Sequence, residues 1–274
     1  MTQKFACYEY YLFEADSRGR IDEKFLRVGC KKKSIQEEIF SQALSENTSQ
    51  IFYPRKEDMM ELPENSTLLW ISFELKKPYM SKDEGEFHTI GKHADIRIFE
   101  NPLVRDRFLG CPMVRPTTWK GHLRFAAEKV KEASGKKLNE SERKRIIERL
   151  FGSEPEDEKN LRGRLHFFPT FFGEDGEKDI ITPLSRQTRT PVRERSPVSL
   201  EVMKAGRNGE FYLLYVPYPK GENFKEGEVR EDSCFLAEAI ELMFCIYGFS
   251  AKKTSGFGII NRELREGMLW TKLR

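Results

Sequence analysis

Apolar and polar positions along the chain change rhythm several times, and each change marks an element. In TLLWISFELKKPYM, Leu69, Ile71, Phe73 and Leu75 stand two apart, the period of a strand with one buried face. GCPMVRPTTWKGHLRFAAEKVKEA shifts to the three-and-four spacing of a helix, opened by Pro116 with Thr117 or Thr118 and carrying Leu123, Ala126, Ala127 and Val130 inward. NESERKRIIERLFGS repeats that spacing and stops at Gly152, and the acidic EPEDEKN after it reads as a loop. RGRLHFFPTFF and VSLEVMKAGRNGEFYLLYVPY are strand-like, the latter as two strands joined through a Gly-Arg-Asn-Gly turn. DSCFLAEAIELMFCIYG is the most apolar helix, and GFGIINREL is expected to close the fold as a strand. Upstream, FACYEYYLFEA alternates like a strand, SIQEEIFSQAL has helical spacing behind Ser34, and YPRKEDMMELPENS connects them to the rest. The order predicts an extension or insertion over residues 1–65 and a main domain over 66–274. That domain is expected to be α+β and ferredoxin-like (RRM-like), an antiparallel sheet with helices on one face and large loop insertions.

Composition narrows the partners. A third of the residues are charged, yet the net charge is only +3, so a chain that coats polyanions indiscriminately is excluded and any basic surface is local. The 21 phenylalanines supply core and, where exposed, flat faces for bases. Five scattered cysteines without a Cys-x-x-Cys pair argue against structural zinc and against a secreted disulfide framework. With no long apolar run and no N-terminal apolar segment, the expectation is a cytoplasmic protein that does not meet a membrane.

Four stretches could carry chemistry. Lys120 and Arg124 lie four apart at the start of a helix, where cations oppose the macrodipole unless an anion sits between. GFSAKKTSGFGII puts Lys252 and Lys253 beside Gly256 and Gly258, a pattern suiting either a phosphate or a simple helix-to-strand connection. RQTRTPVRER crowds Arg186, Arg189, Arg193 and Arg195 around Pro191, which keeps them off an uninterrupted helix. The loop HTIGKHADIRIFENPLVRD holds His88, His93, Asp95, Glu100 and Asp106, groups able to move protons or bind Mg²⁺. No Walker loop, nucleophile elbow or dinucleotide fingerprint is present.

Taken in order, these stretches resemble the RAMP superfamily, which builds CRISPR effector complexes. GCPMVRPTTWKGHLR resembles its G-x-P-x-I-P-G-S-S-L-K-G-x-L-R run, RLFGS its L-F-G, RGRLHFF the next strand and VSLEVMKAGRNGEFYLLY its E-x-V-x-x-G-x-x-F pair. GFSAKKTSGFGII is similar to its C-terminal glycine-rich loop. The likeness spans about residues 66–262 and is nearest the backbone subunit of type III complexes, with HTIG and ENPLVRD standing for His-x-x-Gly and D-S-P-V-x-x-D. It implies that Thr117, Thr118, Lys120, Arg124, Lys252, Lys253, Gly256 and Gly258 meet guide RNA. It further implies that Glu100, where the family has aspartate, is the position for Mg²⁺-dependent cleavage of target RNA, with Asp95 and Asp106 close by. RPTT replaces P-G-S-S, keeping hydroxyls but losing the glycine. The implied partners are guide RNA, complementary target RNA, other effector subunits and copies of this chain. Two other roles stay open: a free-standing endoribonuclease that processes precursor guide RNA through His88, and a non-cutting subunit capping one end of the complex.

Overall fold

The computed structural model describes residues 53–81, 88–90, 97–99, 101–106, 111–153, 161–182, 188, 190, 197–220, 225 and 227–272. Its centre is strand β1 (Thr67–Glu74), in which Ile71 and Phe73 are buried on one face. Across β1, strand β11 (Asn208–Tyr215) pairs antiparallel on one side and β12 (Glu266–Thr271) on the other; β7 (Leu165–Phe167) pairs antiparallel with β11. The order β12-β1-β11-β7 leaves β7 parallel to β1 with β11 between them, and β12 parallel to β11 with β1 between them. Each of these spaced parallel pairs is linked by a helical crossover.

The first crossover contains helix α1 (Pro116–Ala127). Arg115 is extended at ψ 148° as its N-cap, and Pro116 follows, losing only an N–H that the helix start cannot use. Trp119, Leu123, Ala126 and Ala127 form its buried stripe. Helix α2 (Glu140–Phe151) begins with a reciprocal cap: the Glu142 N–H donates to Asn139 Oδ1 at 2.8 Å and the Asn139 N–H to Glu142 Oε2 at 3.0 Å. The second crossover is α3 (Gly227–Glu241), continued by a π-helical turn over Leu242–Tyr247 that ends at Gly248. All three helices meet the face of the sheet that carries Ile71, Phe73, Phe211 and Leu213. At the middle of this core Trp119 lies 4.8 Å from the Phe211 ring and 4.4 Å from Phe249, and its indole N–H donates to Thr170.

Two insertions leave the sheet. The first, between β1 and α1, holds β2 (His88–Ile90), β3 (Arg97–Phe99) and β4 (Met113–Val114). The second, between β7 and β11, holds β8 (Thr170–Phe171), β9 (Glu177–Ile181) and β10 (Val198–Val202). Pairing of β4 with β8 and a bridge from Tyr79 to Met203 fasten one to the other. A short hairpin of β5 (Glu132–Ala133) and β6 (Lys136–Lys137) joins α1 to α2.

Two sequence expectations are corrected. Strands β10 and β11 are not a hairpin: β10 pairs with β9, while the chain turns at Gly206 so that Leu75 donates to the Arg207 carbonyl. The closing strand is not GFGIINREL; Ile260 makes a single bridge to Leu75, and the strand proper is Glu266–Thr271. Left-handed Gly256 and Gly258 turn the chain there instead of extending it. Residues 53–65 pack on the sheet. Tyr53 stacks on Tyr212 with ring centroids 4.1 Å apart, and the Lys272 ammonium donates to the carbonyls of Met60 and Leu62. FACYEYYLFEA, SIQEEIFSQAL and EPEDEKN lie outside the described residues.

Candidate nucleic-acid interface

Helix α1 starts with no acidic residue in its first turn, so its positive end is not compensated from within. Thr117 and Lys120 are exposed there, Thr118 and Arg124 half-buried, and Lys120 and Arg124 share one stripe. The Thr118 and Trp119 amides are already spent on the Arg115 carbonyl.

The glycine-rich loop is tied down at both ends. Phe249 donates to the Gly258 carbonyl at 3.1 Å, Gly258 to that of Pro78 at 2.8 Å, and Ser250 Oγ bonds both the N–H and the carbonyl of Met80. At Gly258, φ is +76° and a Cβ would come within 2.8 Å of Ser250, so only glycine closes the loop this way. The amides of Ser255, Gly256, Phe257 and Gly258 all donate to carbonyls within the protein. The loop therefore offers cations rather than a cradle of free N–H groups.

Lys252 is exposed, whereas the Lys253 ammonium lies 3.7 Å from the centre of the Phe125 ring on α1. Phe125 also meets Tyr247 edge-on at 5.4 Å and lies under Lys129. One turn earlier on this stripe, burial and then the Lys253 charge push the His122 imidazole down to about 4. Burial also lowers Lys253, against a weaker opposing pull from Glu128. The structure thus brings Lys253 onto the His122–Phe125–Lys129 stripe, while Lys120 and Arg124 project from another stripe, roughly 150° round the helix. Sequence reasoning missed His122 and Phe125; the only signal was an aromatic set between the inward Leu123 and Ala126.

Beyond Glu100, the acidic loop is anchored to β10 from Asn101 onward. Glu201 on β10 is fully buried: it accepts the Leu103 N–H at 2.8 Å, bonds Arg105, and donates its own N–H to the Asn101 carbonyl. Asp175 takes the same guanidinium. Burial works against the Arg105 charge, but Glu201 and Asp175 outweigh it and hold the group protonated above its ordinary range. Ser81 Oγ accepts the Val104 N–H, and Asp106, half-buried, donates its N–H to the Cys111 carbonyl. Glu201 is the glutamate of VSLEVMKAG, so two sequence stretches read separately interlock here. His88 opens β2 opposite Phe99, the residue before Glu100. Asp95, Glu100, Arg186, Arg189 and Arg193 lie outside the described residues. Among those described, no three His, Cys, Asp or Glu side chains stand together as a metal-binding group. No described helix is long and apolar enough to cross a membrane.

The model of the RAMP superfamily matches residues 90–261. No curated protein matches the chain in sequence. Among solved structures it is similar to a chain of the cryo-EM structure of the type III-B Cmr-beta complex bound to cognate target RNA. The TM-score is 0.53 at 16% identity, over 97% of this chain and 89% of that one, which shows a shared fold.

Proposed function

Because the chain belongs to the RAMP superfamily, we propose that it is a guide-RNA-binding backbone subunit of a type III CRISPR ribonucleoprotein effector. In this reading its sheet is ferredoxin-like and RRM-like, and its cytoplasmic partners in antiviral defence are guide RNA, target RNA, other effector subunits and further copies of itself. The carrying observation is the pinned loop that holds Lys252 exposed and Lys253 against α1, whose start lacks acids. Such a surface suits phosphates of any sequence, leaving base pairing to read the target. In the same reading the RQTRTPVRER arginines add phosphate contacts.

A second activity, Mg²⁺-dependent cleavage at Glu100, draws support from the Glu201–Arg105–Asp175 network, which fixes the backbone immediately after that position. When bound, Mg²⁺ would assist attack of a target 2′-hydroxyl on the adjacent phosphate. Glu100, with Asp106 or Asp95, would hold the metal.

One assay tests both. Lys120→Ala with Lys252→Ala should weaken binding equally for unrelated RNA sequences and reduce the salt slope by about 0.7 for each lost single-strand contact. Unchanged affinity and slope would remove the phosphate role. With paired target and Mg²⁺ present, Glu100→Gln should abolish product while guide binding holds. A wild-type complex that binds target and never cuts it would instead be a non-cutting subunit, including one that caps the complex. Cleavage of free precursor guide without metal, lost in His88→Ala, would favour the processing endoribonuclease.

A further inference from the structure

Strand β12 ends the sheet among the described residues, and its solvent-facing character is unusual for so apolar a strand. Leu269 is 65% and Met268 45% exposed, and from Gly267 to Thr271 there is no charge and no proline to deter pairing. The direction of its hydrogen bonds follows from the residue after it. The Lys272 N–H donates to Ser66 at 3.0 Å and its carbonyl accepts from Asn65, so even-numbered positions address β1. Leu75 donates to Arg207 on the far side of β1, which gives the same alternation. Gly267, Leu269 and Thr271 therefore turn their N–H and C=O groups toward the open edge.

We propose that this edge pairs antiparallel with β12 of a second copy, about a two-fold axis at Leu269. The register is self-complementary. Leu269 meets its own copy as a hydrogen-bonded pair, and Gly267 meets Thr271 in the same manner, so every outward donor and acceptor is used. On the neighbouring positions Met268 faces Trp270, and Glu266 faces Lys272, whose ammonium is held in place by the Met60 and Leu62 carbonyls. Opposite charges thus flank an apolar centre on both sides of the axis. The contact is isologous and closes at two copies, unlike a row of subunits along RNA, which would continue. It needs no RNA and is independent of the proposed function.

The test uses full-length, nuclease-treated protein in sedimentation velocity across a wide concentration range. A reversible monomer–dimer equilibrium is expected, and Leu269→Lys should raise its Kd about tenfold or more. Because Leu269 is exposed in the single copy, the variant's thermal melt at low concentration should match wild type. Hydrogen exchange on the unmodified protein gives a second reading: the Leu269 and Thr271 amides gain protection as concentration rises, while Met268 and Trp270 are protected throughout. A protein monomeric at every concentration overturns the proposal. So does a dimer indifferent to Leu269→Lys whose Leu269 and Thr271 amides exchange freely.

Discussion

His122 and Lys253 ordinarily carry or acquire charge near neutrality, yet both are drawn into the seam between α1 and the glycine-rich loop. For His122 the sign follows directly. Its folded pKa, about 4, lies below the ordinary 6.5, so between those values the unfolded chain binds a proton that the folded chain refuses. Stability should decline as pH falls through that window and level off beneath it. His166, also lowered by burial and then by Arg162, adds a decline of the same sign. In His122→Gln the urea midpoint should fall less steeply between pH 6.5 and 4 than in wild type; equal slopes would mean an imidazole open to water. At this scale the sequence was readable for Lys120, Arg124, Lys252 and Lys253 as charged positions. It could not tell that Lys253 turns onto Phe125, because nothing local says which helix turn a loop more than a hundred residues away will cover.

The segment Asn101–Asp106 has almost no regular structure of its own and is held by a buried ion network instead. Removing Glu201 would take a fully buried carboxylate from the Arg105 charge, 5% exposed, leaving it to the partly exposed Asp175, and would orphan the Leu103 N–H. Glu201→Ala should therefore cost about 3–5 kcal/mol in denaturant unfolding. Asp175→Asn should cost less, since that carboxylate is a third exposed and water can replace part of what it does. A Glu201→Ala chain as stable as wild type would show that the network is not closed in solution. Among elements, α1, α2, α3, β1 and β11 were legible because each has one face in the core, and burial imposes the periods 3.6 and 2. Edge strand β12 buries neither face and so imprints no alternation, which is why the apolar GFGII looks more like a strand than β12 does. The β10–β11 hairpin fails for another reason: Gly-Arg-Asn-Gly does look like a hairpin turn, but β10 finds its partner in β9, beyond the reach of local pattern.

At the scale of the molecule, the order of elements foreshadowed an α+β sheet backed by helices. What the order did not foreshadow was how the two insertions fasten to each other or how residues 53–65 cover the sheet's other face. There Trp70 and Tyr212 lie side by side, and Tyr53 stacks on the latter. A chain starting at Ser66 would uncover these rings and free the Lys272 ammonium. It should melt lower and bind a hydrophobic dye more strongly than a chain starting near residue 50; matching melts and dye signals would make Tyr53 a bystander. The central place of β1 has a temporal side as well. Its two neighbours come from far along the chain, with Thr67 and Thr271 separated by 204 positions. During synthesis β1 emerges well before either neighbour and waits, apolar and unpaired on both edges, until β11 has been made. Newly made chains are consequently most exposed to aggregation between the emergence of β1 and that of β11, when the strand that will become the middle of the sheet has no sheet to join.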